Sequence, residues 1–299
     1  MIRIFRWISK SFRNRTKSVD ESFDRYESSY PRVYESRLED RRVLNAAAVI
    51  GVADLGSLRF DAGSQANDGG MDTFELSRIS TSHDGKEIAV TINDRMVWQG
   101  SANQIGAIRF EGSSDVDQFL IDPSIQVCTG IFIDGGQFPL GARDHLVLAA
   151  ASDRVFQEIV YHTNEHSVQL RFLESSSQPA STLHVQNVGD IDDRSAALNR
   201  HFDFSSTNPA WQLSGSATAD GSTVTASRSL HLSNSEMGFR FESPSSNLTF
   251  DYRSSTSSES TFVLKDIQLN GLDRFKWLGR DSDTFLTSGE IELGRSLFV

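Results

Sequence analysis

Four times this chain runs through one frame: a short alternating apolar strand, a glycine, a polar turn, an aspartate and a second strand. It reads LRFDAGSQANDGGMDTFEL at 58–76, IRFEGSSDVDQFLI at 108–121, IFIDGGQFPLGARDHLVL at 131–148 and FKWLGRDSDTFL at 275–286. Gly63, Gly112, Gly135 or Gly279 follows the first strand. Asp72, Asp117, Asp144 or Asp283 leads into the second, two residues ahead of an inward-pointing Phe74, Phe119, Leu146 or Phe285. A chain that corners this often needs residues tolerant of positive φ, which glycine supplies. An aspartate at the corner bonds the free amides of the turn through its carboxylate. Alternate strand residues then stack phenylalanine, isoleucine and leucine inside. The frames predict an all-β body over 55–299, built as a degenerate β-helix or β-solenoid-like stack. Their spacing is irregular, with 23 residues from Gly112 to Gly135, so hairpin insertions are expected. A pair of β-sandwiches with a seam near 174–182 (ESSSQPAST) is the alternative architecture.

Composition agrees with many short strands. Glycine is plentiful at 21, proline scarce at 6, and 20 phenylalanines against 5 tyrosines point to a Phe-filled core. Further strands read as KEIAVTI, EIVYH, SVQLRF, MGFRFE, NLTFDY and STFVLKDIQL, with hairpin signals at Asp84-Gly85 and Asn93-Asp94. The lone cysteine, Cys128, excludes an internal disulfide and reads as inert core. No run of eighteen apolar residues is present. Residues 1–18 carry +6, which leaves −17 on the remainder of a chain with net charge −11. Such an acidic body repels phosphate backbones, so nucleic acid is not an expected partner.

On a helical wheel Ile4, Phe5, Ile8 and Phe12 gather opposite Arg3, Arg6, Lys10, Arg13 and Lys17. This basic leader is amphipathic if helical and able to contact an anionic membrane surface during export; alone in water it is disordered. A charged linker follows, then the apolar, small-residue run VLNAAAVIGVA, so 1–54 reads as leader, linker and export or processing segment. The junction Leu38-Glu39-Asp40-Arg41-Arg42-Val43-Leu44-Asn45-Ala46 resembles the LEPR/LEDR-type N-terminal motif of planctomycete secreted and cell-surface proteins, with Asp40 where many members have proline. The body is similar to repeat units of large surface proteins of that group. Ile131-Phe132-Ile133-Asp134-Gly135-Gly136, Asp144-His145-Leu146-Val147-Leu148 and Arg200-His201-Phe202-Asp203-Phe204 fall in the same order. The resemblance implies export and implies no activity.

The frames also echo the calcium-binding nonapeptide of RTX-type β-rolls, where carbonyl and Asp oxygens of stacked turns enclose the ion. Asp72, Asp117, Asp281 and Asp283 are the candidate Ca²⁺ ligands. No two frames sit nine residues apart, and this spacing favours plain acidic turns in water. Asp190, Asp192 and Asp193 form the densest acidic cluster of the body and read as a solvated turn, the alternative being catalysis by a carbohydrate-active β-helix. His162 and His166 flank a turn without a zinc pattern, and no nucleophile elbow, P-loop or dinucleotide fingerprint occurs. No catalytic residue and no cofactor beyond the calcium candidates is assigned. The leading expectation is a non-enzymatic exported surface or matrix protein with a structural or adhesive role, contacting cell-surface or matrix polymers. The apolar ending IELGRSLFV adds an edge suited to self-association. A polysaccharide lyase or hydrolase and a calcium-binding β-roll are the alternatives.

Overall fold

The structure, a computed structural model, describes residues 56–61, 69–79, 87–136, 143–149, 154–164, 167–175, 178–205, 210–215, 229–234, 237–255, 259–269, 272–293 and 297–298. The expected leader, linker and export segment, Gly63, the Asp84-Gly85 turn and His166 lie outside these residues. Among the described residues there is no α-helix, only a 3₁₀ turn at Ala102–Gln104 and strands gathered in two large mixed sheets, A and B.

The chain opens by alternating between the sheets. Strand β1 (Ser57–Asp61) belongs to A and β2 (Asp72–Arg78) to B. A hairpin of β3 (Glu87–Ile92) and β4 (Arg95–Ser101) extends B antiparallel beyond β2. Its turn is Asn93-Asp94, both left-handed with φ of 50° and 61°, as a tight two-residue hairpin demands. Strand β5 (Ala107–Glu111) then lies parallel to β1, and β6 (Asp117–Ile121) parallel to β2. Next β7 (Gly130–Asp134) and β8 (His145–Leu148) repeat the step. Parallel neighbours cannot be joined by a tight turn. Here each is joined through a strand of the other sheet.

Two antiparallel meanders interrupt the alternation. In A, β9 (Val155–Asn164), β10 (Ser167–Ser175) and β11 (Gln178–Gln186) double back until β11 lies parallel to β7. After β12 (Asp190–Asp193) beside β8 in B, β13 (Ala196–Phe204) lies on the far side of β9 in A. In B, β14 (Ala210–Gly215), β15 (Ser229–Ser233) and β16 (Gly238–Glu242) double back until β16 meets β12. Alternation then resumes with β17 (Asn247–Asp251), β18 (Thr261–Leu269), β19 (Arg274–Leu278), β20 (Thr284–Leu293) and β21 (Leu297–Phe298). Residues on either side of 174–182 contribute to both sheets.

Register turns the alternation of apolar residues into continuous rows. In A, Leu58, Ile108, Ile131, Leu183, Leu170, Tyr161, Phe202, Phe250 and Trp277 are successive cross-strand partners, and all are buried. In B, Phe74, Phe119, Leu146, Ile191 and Phe239 do the same. The rows meet between the sheets: Phe74 touches Phe110, Phe202 touches Phe239 and Phe250 touches Phe262. Of the inward residues that the frames name, Phe74, Phe119 and Leu146 are fully buried and Phe285 packs against the core half-covered.

One polar pair breaks the apolar rows. Arg200 of β13 stands between Ile159 and Leu248, and Asp193 of β12 between Leu148 and Phe241. Both are buried, and they meet across the core at 2.6 Å. The Arg200 guanidinium also donates to the Glu242 carbonyl at 3.0 Å, the Ser195 carbonyl and the Tyr161 hydroxyl. Tyr161 and the Ser195 N–H in turn donate to Asp193. Burial would weaken the guanidinium's hold on its proton, but Asp193 and Tyr161 reverse this, and the Arg200 pKa is raised. The solvated turn expected at Asp190, Asp192 and Asp193 is thereby corrected: Asp192 and Asp193 are buried in a strand, and Asp193 has a cation partner. Cys128 is a second correction. It is exposed in the connection between β6 and β7, where Ile125 supplies the buried residue instead.

Candidate functional site

Three frames set their aspartate on the inward side of sheet B. Asp72 and Asp117 are cross-strand partners on β2 and β6, and the register carries the column on to Asp144, just ahead of β8. All three are buried, Asp117 completely. The Ser113 N–H donates to Asp117 Oδ2 at 2.5 Å, and the Asp117 N–H donates to Asp144 Oδ1 at 2.8 Å. Asn93 Nδ2 donates to Asp72 Oδ1 at 2.7 Å. Each carboxylate therefore caps backbone or a neighbouring turn residue, which is the role that corner chemistry assigns to aspartate.

The frame glycines are explained differently from the expectation. Gly112 and Gly135 do not have positive φ; the left-handed glycines of the described frame corners are Gly69, at 81°, and Gly136, at 95°. A Cβ on Gly112 would lie 2.5 Å from Asp117 Oδ2, and one on Gly135 would lie 2.2 Å from Asp144 Oδ2. In these two frames the aspartate occupies room that a side chain on the glycine would need, whereas beside Gly279 that room is taken by the Trp277 ring.

This confinement shifts the carboxyls. Burial, opposed by the Ser113 N–H and assisted by the Asp72 charge, pushes Asp117 up to about 6. Burial, opposed by the Asp117 N–H and assisted by Asp117 and Asp134, pushes Asp144 up to about 7. A carboxyl raised in the fold stabilises while protonated, so its contribution is complete below pH ~4 and disappears as pH rises through the folded value. Asp251 and Asp283 act in the opposite sense. Burial would raise both, but hydrogen bonds from Arg253 and Arg280 prevail and hold them below the usual range. Asp144→Asn keeps an acceptor for the Asp117 N–H and removes the charge. The variant is expected to gain ~1–2 kcal/mol over the parent on going from pH 5 to pH 8, read by urea denaturation at both. Parallel curves would show that Asp144 ionises normally.

Asp281 and Asp283 sit apart from this column, on the corner between β19 and β20. Asp283 accepts from the Arg280 N–H at 2.7 Å, the Ser260 N–H at 2.9 Å and the Arg280 guanidinium at 2.9 Å. Asp281 is exposed. The structure brings Asp72 next to Asp117 and places the other two candidates elsewhere. Among the described residues no three His, Cys, Asp or Glu side chains gather in an arrangement able to hold a metal ion.

The outer face of sheet A carries a set of residues the frames do not name. Arg109, Phe132, His184 and Gln169 are successive cross-strand partners on β5, β7, β11 and β10. The Arg109 guanidinium lies 4.1 Å from the Phe132 ring centroid, and the His184 ring stacks on the opposite side at 4.6 Å and 7°. Two residues further along each strand runs a second row: Glu111, Asp134, Gln186 and Ser167. Between the rows lies a shallow groove of about 350 Å³. Partial burial and the Arg109 charge lower the His184 pKa, so the imidazole is neutral at neutral pH. The signal for this row was in the sequence. Each member is the middle residue of an apolar–X–apolar triplet, IRF, IFI, LHV or VQL, and so points outward. Register across four strands is what makes it one row. No protein-family model, curated protein or solved structure matches the chain.

Proposed function

We propose that this chain is a non-enzymatic, exported surface or matrix protein whose β-body serves as a structural and adhesive scaffold. The alternation of strands between A and B is read here as a degenerate β-solenoid interrupted by two meanders. The observation that carries the adhesive reading is the outer face of sheet A. Its planar polar and aromatic side chains form a row across adjacent strands, suited to an extended polymer, rather than converging on a cleft. Among the described residues the carboxyls that burial pushes up toward neutrality, Asp117 and Asp144, are 0% and 3% exposed, out of reach of a substrate, which weighs against the hydrolase or lyase alternative. The LEDR-type junction at Leu38–Ala46 supports export.

Fractionation of the cells that make the protein tests this. The full-length chain is expected outside the cytoplasm or on the envelope, and a chain lacking residues 1–54 is expected to stay in the cytosol. A full-length protein found in the cytosol defeats the reading.

A further inference from the structure

We infer that the sheet A groove binds a neutral, hydroxyl-rich polysaccharide laid across β5, β7, β11 and β10. This deepens the adhesive reading and rests on it. Two walls of different character make the case. The row Glu111, Asp134 and Gln186 is internally satisfied: Asp134 accepts from Gln186, from Asn187 Nδ2 at 2.9 Å and from the Gly136 N–H at 3.0 Å, while Glu111 pairs with Arg59. The facing row is not. Among the described residues Arg109 has no carboxylate partner, and the Gln169 amide and the His184 ring nitrogens make no hydrogen bond to protein.

These unused groups are nevertheless held in place. The stack on Phe132 holds the Arg109 guanidinium and the His184 imidazole on the outer face of sheet A, where Arg109 is exposed and His184 half-buried. A planar donor fork, a neutral imidazole and an amide in sequence offer both donors and acceptors at the spacing of adjacent strands. Vicinal sugar hydroxyls, which donate and accept, match such a set. Across the four strands the row extends roughly 14 Å, long enough for a short run of sugar rings.

Charge selects among polymers. The groove is lined by Arg109 with Glu111 and Asp134, Arg59 pairs with Glu111 from outside it, and His184 is neutral, so the lining carries no excess of positive charge to hold a polyanion. The chain as a whole is at −11 and repels polyanions. A neutral chain is favoured over a uronate or sulfated one.

The test is co-sedimentation of the full-length protein with microcrystalline cellulose and with insoluble xylan, beside affinity electrophoresis in alginate as the anionic comparison. Intact cell envelopes form a separate arm. The parent is expected to bind a neutral polymer, with Arg109→Ala weakening binding by about ten-fold or more. Gln169→Ala, which does not touch the Phe132 stack, is expected to weaken it by several-fold at unchanged melting temperature. Binding only to alginate, no binding to either neutral polymer, or binding unaffected by both substitutions overturns the inference. If parent and variants bind envelopes equally, adhesion stands and the groove assignment falls. If the parent does not bind envelopes at all, the adhesive reading falls with it.

Discussion

Arg200→Ala is expected to destabilise the β-body by about 3–5 kcal/mol, seen as a lowered urea midpoint with an unchanged slope. The loss does not come from a strong attraction removed. It comes from what remains: the Asp193 carboxyl, buried at 1% exposure among Leu148, Phe241 and Tyr161, would be left without its cation partner. The Ser195 and Glu242 carbonyls would lose a donor as well. Water cannot substitute easily, because the Phe241 ring and the Tyr161 ring lie over the guanidinium at 5.3 and 5.9 Å. The same logic predicts the rescue. Arg200→Met combined with Asp193→Leu removes both charges and supplies apolar volume in two rows that are otherwise apolar. The double variant is expected to recover most of the stability lost by Arg200→Ala. A single Arg200→Ala with no shift in midpoint would mean that the pair is solvated and that the rows do not close over it.

The second large effect concerns Phe202. Its ring stacks on Tyr161 at 4.2 Å and on Phe250 at 5.2 Å along sheet A, and meets Phe241 at 5.0 Å and Phe239 at 5.7 Å from sheet B. Neighbours on both sheets are themselves large and fixed, so the space left by Phe202→Ala cannot collapse. The expected cost is about 3–5 kcal/mol. Phe132→Ala is the informative contrast. Phe132 is also a phenylalanine in a β-strand and also stacked on both faces, but it lies on the outer side of sheet A. Its removal is expected to cost about 1 kcal/mol or less. Calorimetry on the two variants reads the difference directly, and equal losses would contradict the assignment of inner and outer faces.

Much of this architecture was legible in the residues. Alternation with glycine and aspartate punctuation pointed to an all-β body, and the positions expected inside at Phe74, Phe119 and Leu146 are inside. Irregular spacing announced hairpin insertions, but where the two meanders fall was not legible. A strand that doubles back and a strand that continues share the same period of two, so nothing local distinguishes β10 from β7. Arg200 and Asp193 were missed for a related reason. Hydropathy assigns charged residues outward, and only cross-strand register reveals that each stands in an apolar row opposite the other. Asp192, which neighbours Arg194 at 2.8 Å, shows the same failure on a smaller scale. The groove on sheet A depends on four strands whose chain order is β5, β7, β10 and β11 but whose spatial order is β5, β7, β11, β10. Its residue types are visible in the sequence; their adjacency is not. Cys128 misled through composition, since a cysteine beside valine looks like core until the connection it occupies is seen.

The doubling-back of β14–β16 has a consequence during synthesis. When residues only as far as Phe204 have been synthesised, Tyr161 has Asp193 of β12 to face it, but the partners of Phe202 on sheet B, Phe239 and Phe241, are not yet made. For nearly forty residues of elongation Phe202 is expected to lack these aromatic partners and to leave part of the ladder open. A nascent chain stalled in that interval is the form that nascent-chain chaperones should capture and that should clump in their absence, whereas chains arrested after Glu242 should not.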